Sequence, residues 1–179
     1  MVSLISCLSI LVIPLLVTSL FYQVSNAVNN TYLDSICHKS TDYELCSSTF
    51  AADDRTPTAD LDVLFRISIS ANINLLHTTN VQQIPKILET LNNPQDKTLL
   101  QNCQTDFTNA QEKLSNAFAA SVIRNYTEAT NLATGAALLN AACDNGYSTA
   151  KRPSPIADVT GKAGKLILIS FIIVDEILP

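Results

Sequence analysis

Leu100–Cys143 reads LQNCQTDFTNAQEKLSNAFAASVIRNYTEATNLATGAALLNAAC, and its spacing decides the fold. Leu100, Cys103, Phe107, Ala110, Leu114 and Ala117 recur at intervals of three and four, one stripe of a helix. Ala129, Leu132, Ala136, Leu139 and Cys143 form a second stripe, and Arg124-Asn125 marks a turn between the two. Stripes of this period pack helices side by side at a shallow angle, as in four-helix bundles. Cys103 and Cys143 are equidistant from Ile123. In an antiparallel hairpin both therefore stand at the same height, ~30 Å from the turn at ~1.5 Å per residue. Both also fall on the inward stripes, so a Cys103–Cys143 disulfide is expected.

Outward from this hairpin, punctuation at Arg55-Thr56-Pro57, Asn92-Asn93-Pro94 and Lys151-Arg152-Pro153-Ser154-Pro155 divides the chain into a short leader and four long segments. The segment from Thr56 reads as a helix with Thr56 as N-cap and Pro57 in its first turn. Phe65, Ile67, Ile69, Ala71 and Ile73 alternate with other residues like a strand. The run from Thr58 to Ile84 is too long for a strand, which favours a helix that Pro85 ends or kinks. The last segment, from Ile156, contains the apolar run Leu166–Val174, too short to span a membrane and suited to a buried helix. Gly161 and Gly164 weaken its start, which places firm helix from about Lys162.

Residues 1–27 carry no charged side chain, are apolar from Leu8 to Leu20, and end in Ser25-Asn26-Ala27. This reads as a secretory signal, leaving residues 28–179 as a single domain that carries the whole net charge of −5. An acidic chain without a Lys/Arg cluster is a poor candidate for nucleic acid or anionic membrane. Of five cysteines, Cys7 leaves with the signal. Four allow three pairings, and if Cys103 pairs with Cys143 then Cys37 pairs with Cys46. Structural zinc needs closer cysteine spacing, so no metal is expected. Asn29-Asn30-Thr31 and Asn125-Tyr126-Thr127 are glycosylation sequons.

Nothing in the chain assembles catalytic machinery. His38, next to Cys37, lies in the leader and His77 ends a helix run; no candidate nucleophile has a recognisable base or oxyanion loop beside it, G-x-S-x-G is absent, and four scattered glycines make no phosphate loop. Asp53-Asp54 and Asp175-Glu176 are adjacent pairs at segment ends, which read as solvated caps. No cofactor is expected.

Several pieces together resemble the plant inhibitors of pectin methylesterase and invertase. They are Cys37-x₈-Cys46 with Tyr43, Thr58-Ala59-Asp60-Leu61 opening a helix, Cys103, the Asn125-Tyr126 turn, Gly135-Ala136-Ala137-Leu138 before Cys143, and Pro153-Ser154-Pro155 before an apolar terminal helix. The resemblance implies an all-α antiparallel four-helix bundle with an N-terminal helical hairpin extension and two disulfides. It also implies a secreted protein of the plant cell wall that inhibits a carbohydrate-active enzyme stoichiometrically and is not itself an enzyme. In invertase inhibitors a Pro-Lys-Phe motif in the turn between the third and fourth segments enters the target's active site. The matching residues here are Tyr126-Thr127-Glu128, which turns the expectation toward pectin methylesterase, whose inhibitors block a long cleft with helix flanks. Invertase inhibition, and a non-inhibitory ligand-binding or signalling role, are the alternatives. Candidate partner-binding residues, on faces read as outward, are Thr105, Asp106, Asn109, Glu112, Tyr126, Thr130 and Asn131.

Overall fold

A computed structural model describes residues 27–178, so the segment read as a signal lies outside the described residues except for Ala27. Among the described residues seven α-helices follow one another: α1 (Asn30–Lys39), α2 (Tyr43–Ala51), α3 (Leu61–Thr78), α4 (Ile84–Thr90), α5 (Pro94–Val122), α6 (Tyr126–Thr149) and α7 (Ala157–Ile177). No strand occurs among the described residues. Helices α3, α5, α6 and α7 form the antiparallel bundle, each packed on two neighbours, while α1 and α2 fold as a hairpin across one flank.

Capping side chains start most of these helices. Asn29, Asp42, Asp60, Asn93 and Asn125 each accept a main-chain N–H from the first turn that follows. The cap of α3 is therefore Asp60, which accepts the Val63 N–H at 2.8 Å. Thr56, expected as that cap, instead opens a short 3₁₀ turn, and its hydroxyl donates to the Phe50 carbonyl at 2.7 Å. Asp60 wins because a carboxylate beside the positive end of a helix gains from both the hydrogen bond and the dipole.

The alternating stretch in α3 is helical. Leu64, Phe65, Ile67, Ser68, Ile69, Asn72 and Leu76 are all buried, because α2, α5 and α7 cover a wide arc of this helix. A helix buried on so many sides loses the clean apolar stripe that periodicity detects. Pro85 does not end the helical path. Thr79–Gln83 widens into a π-turn and α4 continues from it with Pro85 in its first turn. Without an N–H, proline disturbs the ordinary ladder, and a local change of hydrogen-bond pattern absorbs the defect.

One expected boundary and one expected stripe shift. Helix α7 begins at Ala157, five residues before Lys162, despite Gly161 and Gly164. Buried Ile156, Val159 and Ala163 pack its first turns, and the Thr160 hydroxyl donates to Asp144 of α6 at 2.7 Å. That packing outweighs the ~1 kcal/mol that each glycine costs a helix. On α6 the buried stripe is Tyr126, Ala129, Ala133, Ala136, Asn140, Cys143 and Tyr147. Leu132 and Leu139, read as inward, are only half-buried. Small alanines, with a polar Asn140 among them, take the innermost positions because α5 approaches closely.

Both disulfides staple neighbouring helices. Cys37–Cys46 joins α1 to α2 with Cα atoms 5.4 Å apart, and Cys103–Cys143 joins α5 to α6 at 4.8 Å. The hairpin is fastened to α7 by side chains. Lys165 pairs with Asp42 at 2.9 Å, and Glu176 accepts from Lys39 and from the Tyr32 hydroxyl. Glu176, read as a solvated cap, is thus a tertiary contact. Asp53 pairs in a forked geometry with Arg55. His38 stacks on Tyr43 with ring centroids 4.6 Å apart, and His77 ends α3 on the surface.

Candidate partner-binding surface

Helices α5 and α6, the two longest among the described residues, pack side by side. Asn93 and Pro94 start α5, whose length of 29 residues spans roughly 43 Å at ~1.5 Å each. Its buried stripe of Leu100, Cys103, Phe107, Ala110, Leu114 and Ala117 turns the intervening polar residues outward. Thr105, Asn109 and Glu112 are exposed there, and Asp106 is half-buried. On α6, Asn131 is exposed and Thr130 is half-buried with its hydroxyl turned back to the Tyr126 carbonyl. In the register set by the disulfide, Thr130 and Asn131 stand opposite Asn116 and Ser115. The α5 residues and the α6 residues therefore occupy different heights on the face and do not form one cluster.

Tyr126 is a correction. Its place beside the turn suggested an outward ring, yet it is 3% exposed. Arg124 reverses the chain with φ of 57°, so the first turn of α6 swings Tyr126 under the bundle. The ring meets Phe65 edge-on at 5.6 Å, and its hydroxyl donates to Asp62 at 2.6 Å. Arg124 pairs with the other oxygen of Asp62 at 2.8 Å. Burial, and then the bond to Asp62, push the Tyr126 phenol far above its ordinary pKa. The turn between α5 and α6 is thereby pinned to the start of α3.

Between α5 and α6, on the outer seam, lies a groove of about 350 Å³. Its floor is the Cys103–Cys143 bridge, and Leu99, Asn102, Asp106, Ala142 and Gly146 form its sides. Among the described residues Asp106 accepts no hydrogen bond and joins no ion pair; partial burial alone raises its carboxyl above the ordinary value. On the same outer stripe of α6, Leu138 is 67% exposed, and Gly135 lets the Lys113 stem lie against the helix. A Cβ at Gly135 would come within 3.0 Å of the Lys113 Cδ. The sequence marks Asp106 as a candidate contact on an outward face but does not reveal the groove beside it. The signal available was the run of small residues Gly135, Ala142 and Gly146 on one face beside a cysteine known to be inward.

Among the described residues no group of His, Cys, Asp and Glu could hold a metal ion. No helix of the described residues is long and apolar enough to cross a membrane.

The family model described as plant invertase/pectin methylesterase inhibitor matches residues 31–170. The chain belongs to that family. A search of curated proteins matched none. Among solved structures, the chain is similar to a pectin methylesterase inhibitor from Arabidopsis thaliana, with a TM-score of 0.60 and 13% identity. The match covers 83% of this chain and 97% of that one. At that identity the likeness speaks for the fold alone, an all-helical bundle. The family itself is one of enzyme inhibitors.

Proposed function

We propose that this protein is secreted into the plant cell wall and inhibits pectin methylesterase, one inhibitor per enzyme, by laying the α5 and α6 flank across the substrate cleft. The observation that carries this reading is the state of the α5–α6 turn. An inhibitor that works end-on needs a side chain projecting from that turn, as Pro-Lys-Phe does in invertase inhibitors. Here the first matching position, Tyr126, is buried and bonded to Asp62, and Arg124 is engaged by the same carboxylate. The leading matching residue thus turns into the bundle, with Thr127 and Glu128 left as short or acidic exposed residues, whereas the flank offers ~43 Å of mostly polar helix surface. The apolar, uncharged N-terminal stretch and two disulfides support export to an oxidising compartment.

The test is parallel inhibition of one pectin methylesterase and one acid invertase by the purified protein. Saturable inhibition of the esterase at one equivalent, with the invertase unaffected, is expected. Inhibition of the invertase alone would overturn the assignment.

A further inference from the structure

We infer that the groove over the Cys103–Cys143 bridge receives a lysine or arginine side chain of the target enzyme, its cationic head set against Asp106. The inference rests on the inhibitor reading above and names the contact that the α5–α6 flank uses. Three features of the groove argue for a cation on a long stem. Asp106 is a partly desolvated carboxylate with no partner among the described residues, a state that an incoming positive charge relieves. The floor and part of each side are apolar, from the disulfide, Leu99 of α5 and Ala142 of α6, which suits the methylene stem of such a residue while its head stays polar. Gly146 keeps the mouth open, with only Leu99 within 4 Å of where its Cβ would stand. An acid, a phosphate or a second anionic surface would meet Asp106 as a like charge. The net −5 of the chain favours a basic patch on the partner in the same sense.

The experiment uses the full mature protein against pectin methylesterase, with inhibition constants for Asp106→Asn, Ala142→Lys, their double variant and Glu89→Gln. Asp106→Asn keeps the side-chain shape and removes the charge. Ala142→Lys fills the groove with a cation of the chain's own. Glu89→Gln removes one negative charge on α4, away from this face. The two groove variants should each weaken inhibition about 10-fold or more. The double variant should be little worse than either, because both remove one contact. Glu89→Gln should stay within about twofold. Thermal melting separates binding from folding, since Asp106→Asn should melt no lower than the unaltered protein. Unchanged inhibition by both groove variants overturns the inference while leaving the inhibitor reading standing. Equal weakening by Glu89→Gln also overturns it, in favour of general charge attraction. Failure of the unaltered protein to inhibit the esterase removes the inhibitor reading and the inference with it.

Discussion

At the scale of single residues, two buried polar side chains decide how firmly the bundle is set. Tyr126 donates to Asp62 and holds the turn that Arg124 shapes. A hydrogen bond to a charged group contributes about 1.5–3 kcal/mol, so Tyr126→Phe should lower stability by ~2 kcal/mol in urea unfolding. Retention of full stability would show that Arg124 alone fixes the turn. Asn140 is the opposite case. It is 3% exposed, and neither polar atom of its amide has a protein partner. An unpaired buried amide costs about 1–3 kcal/mol, so Asn140→Leu should raise stability by ~1 kcal/mol after some loss to tighter packing. A fall in the midpoint would show that the amide is satisfied in solution. Asn140 also explains why the α6 stripe was misread. Its identity says surface, its position says core, and periodicity trusts identity.

At the scale of elements, the two staples differ in what they restrain. Cys103–Cys143 closes a separation of 40 residues and Cys37–Cys46 one of 9. On chain entropy these correspond to ~4 and ~2.6 kcal/mol, so replacing both members of the longer pair with serine should cost more in thermal unfolding. A larger loss from the short pair would mean that the hairpin, and not α5–α6, limits stability. The hairpin has a second fastening that responds to acid. Lys39, then Tyr32, hold the Glu176 carboxyl below its ordinary value, and the Leu45 N–H, then Lys165, do the same for Asp42. A carboxyl lowered on folding stabilises fully above its unfolded pKa and loses that contribution as pH falls through the folded value. The melting temperature should therefore drop below about pH 4, and drop less for an Asp42→Asn, Glu176→Gln double variant. Equal drops in both proteins would place the acid sensitivity elsewhere. Elements were legible wherever one face is polar and one apolar, as in α5. They were less so where burial is wide, as in α3, or where tertiary packing overrules glycine, as at the start of α7. The groove is only hinted at by the small residues Gly135, Ala142 and Gly146, because it depends on what two helices leave unfilled and one stripe records one side of it.

At the scale of the whole molecule, the acidic surface and the sequons bear on how a partner approaches. With a net charge of −5, association with a basic enzyme surface should slow as salt rises, with dissociation altered less. A salt-independent on-rate would remove long-range attraction from the account. The sequons make the direction of approach testable. Asn29 and Asn125 are exposed N-caps whose side-chain oxygens accept the N–H groups of Tyr32 and Glu128, at 2.8 and 3.2 Å. Each amide nitrogen, the atom that carries a glycan, makes no hydrogen bond among the described residues, on a residue that is exposed. A sugar on Asn125 would crowd the turn end of the bundle, yet Asp106 lies ~27 Å further along α5. Thr127→Ala deletes the sequon without touching the Asn125 cap, so it changes the glycan and little else. Loss of the glycan, read by mass spectrometry, should leave inhibition of pectin methylesterase within about twofold, because the flank stays clear of the turn. A tenfold change in either direction would mean that the enzyme meets the end of the bundle, and the flank-on arrangement would have to be abandoned.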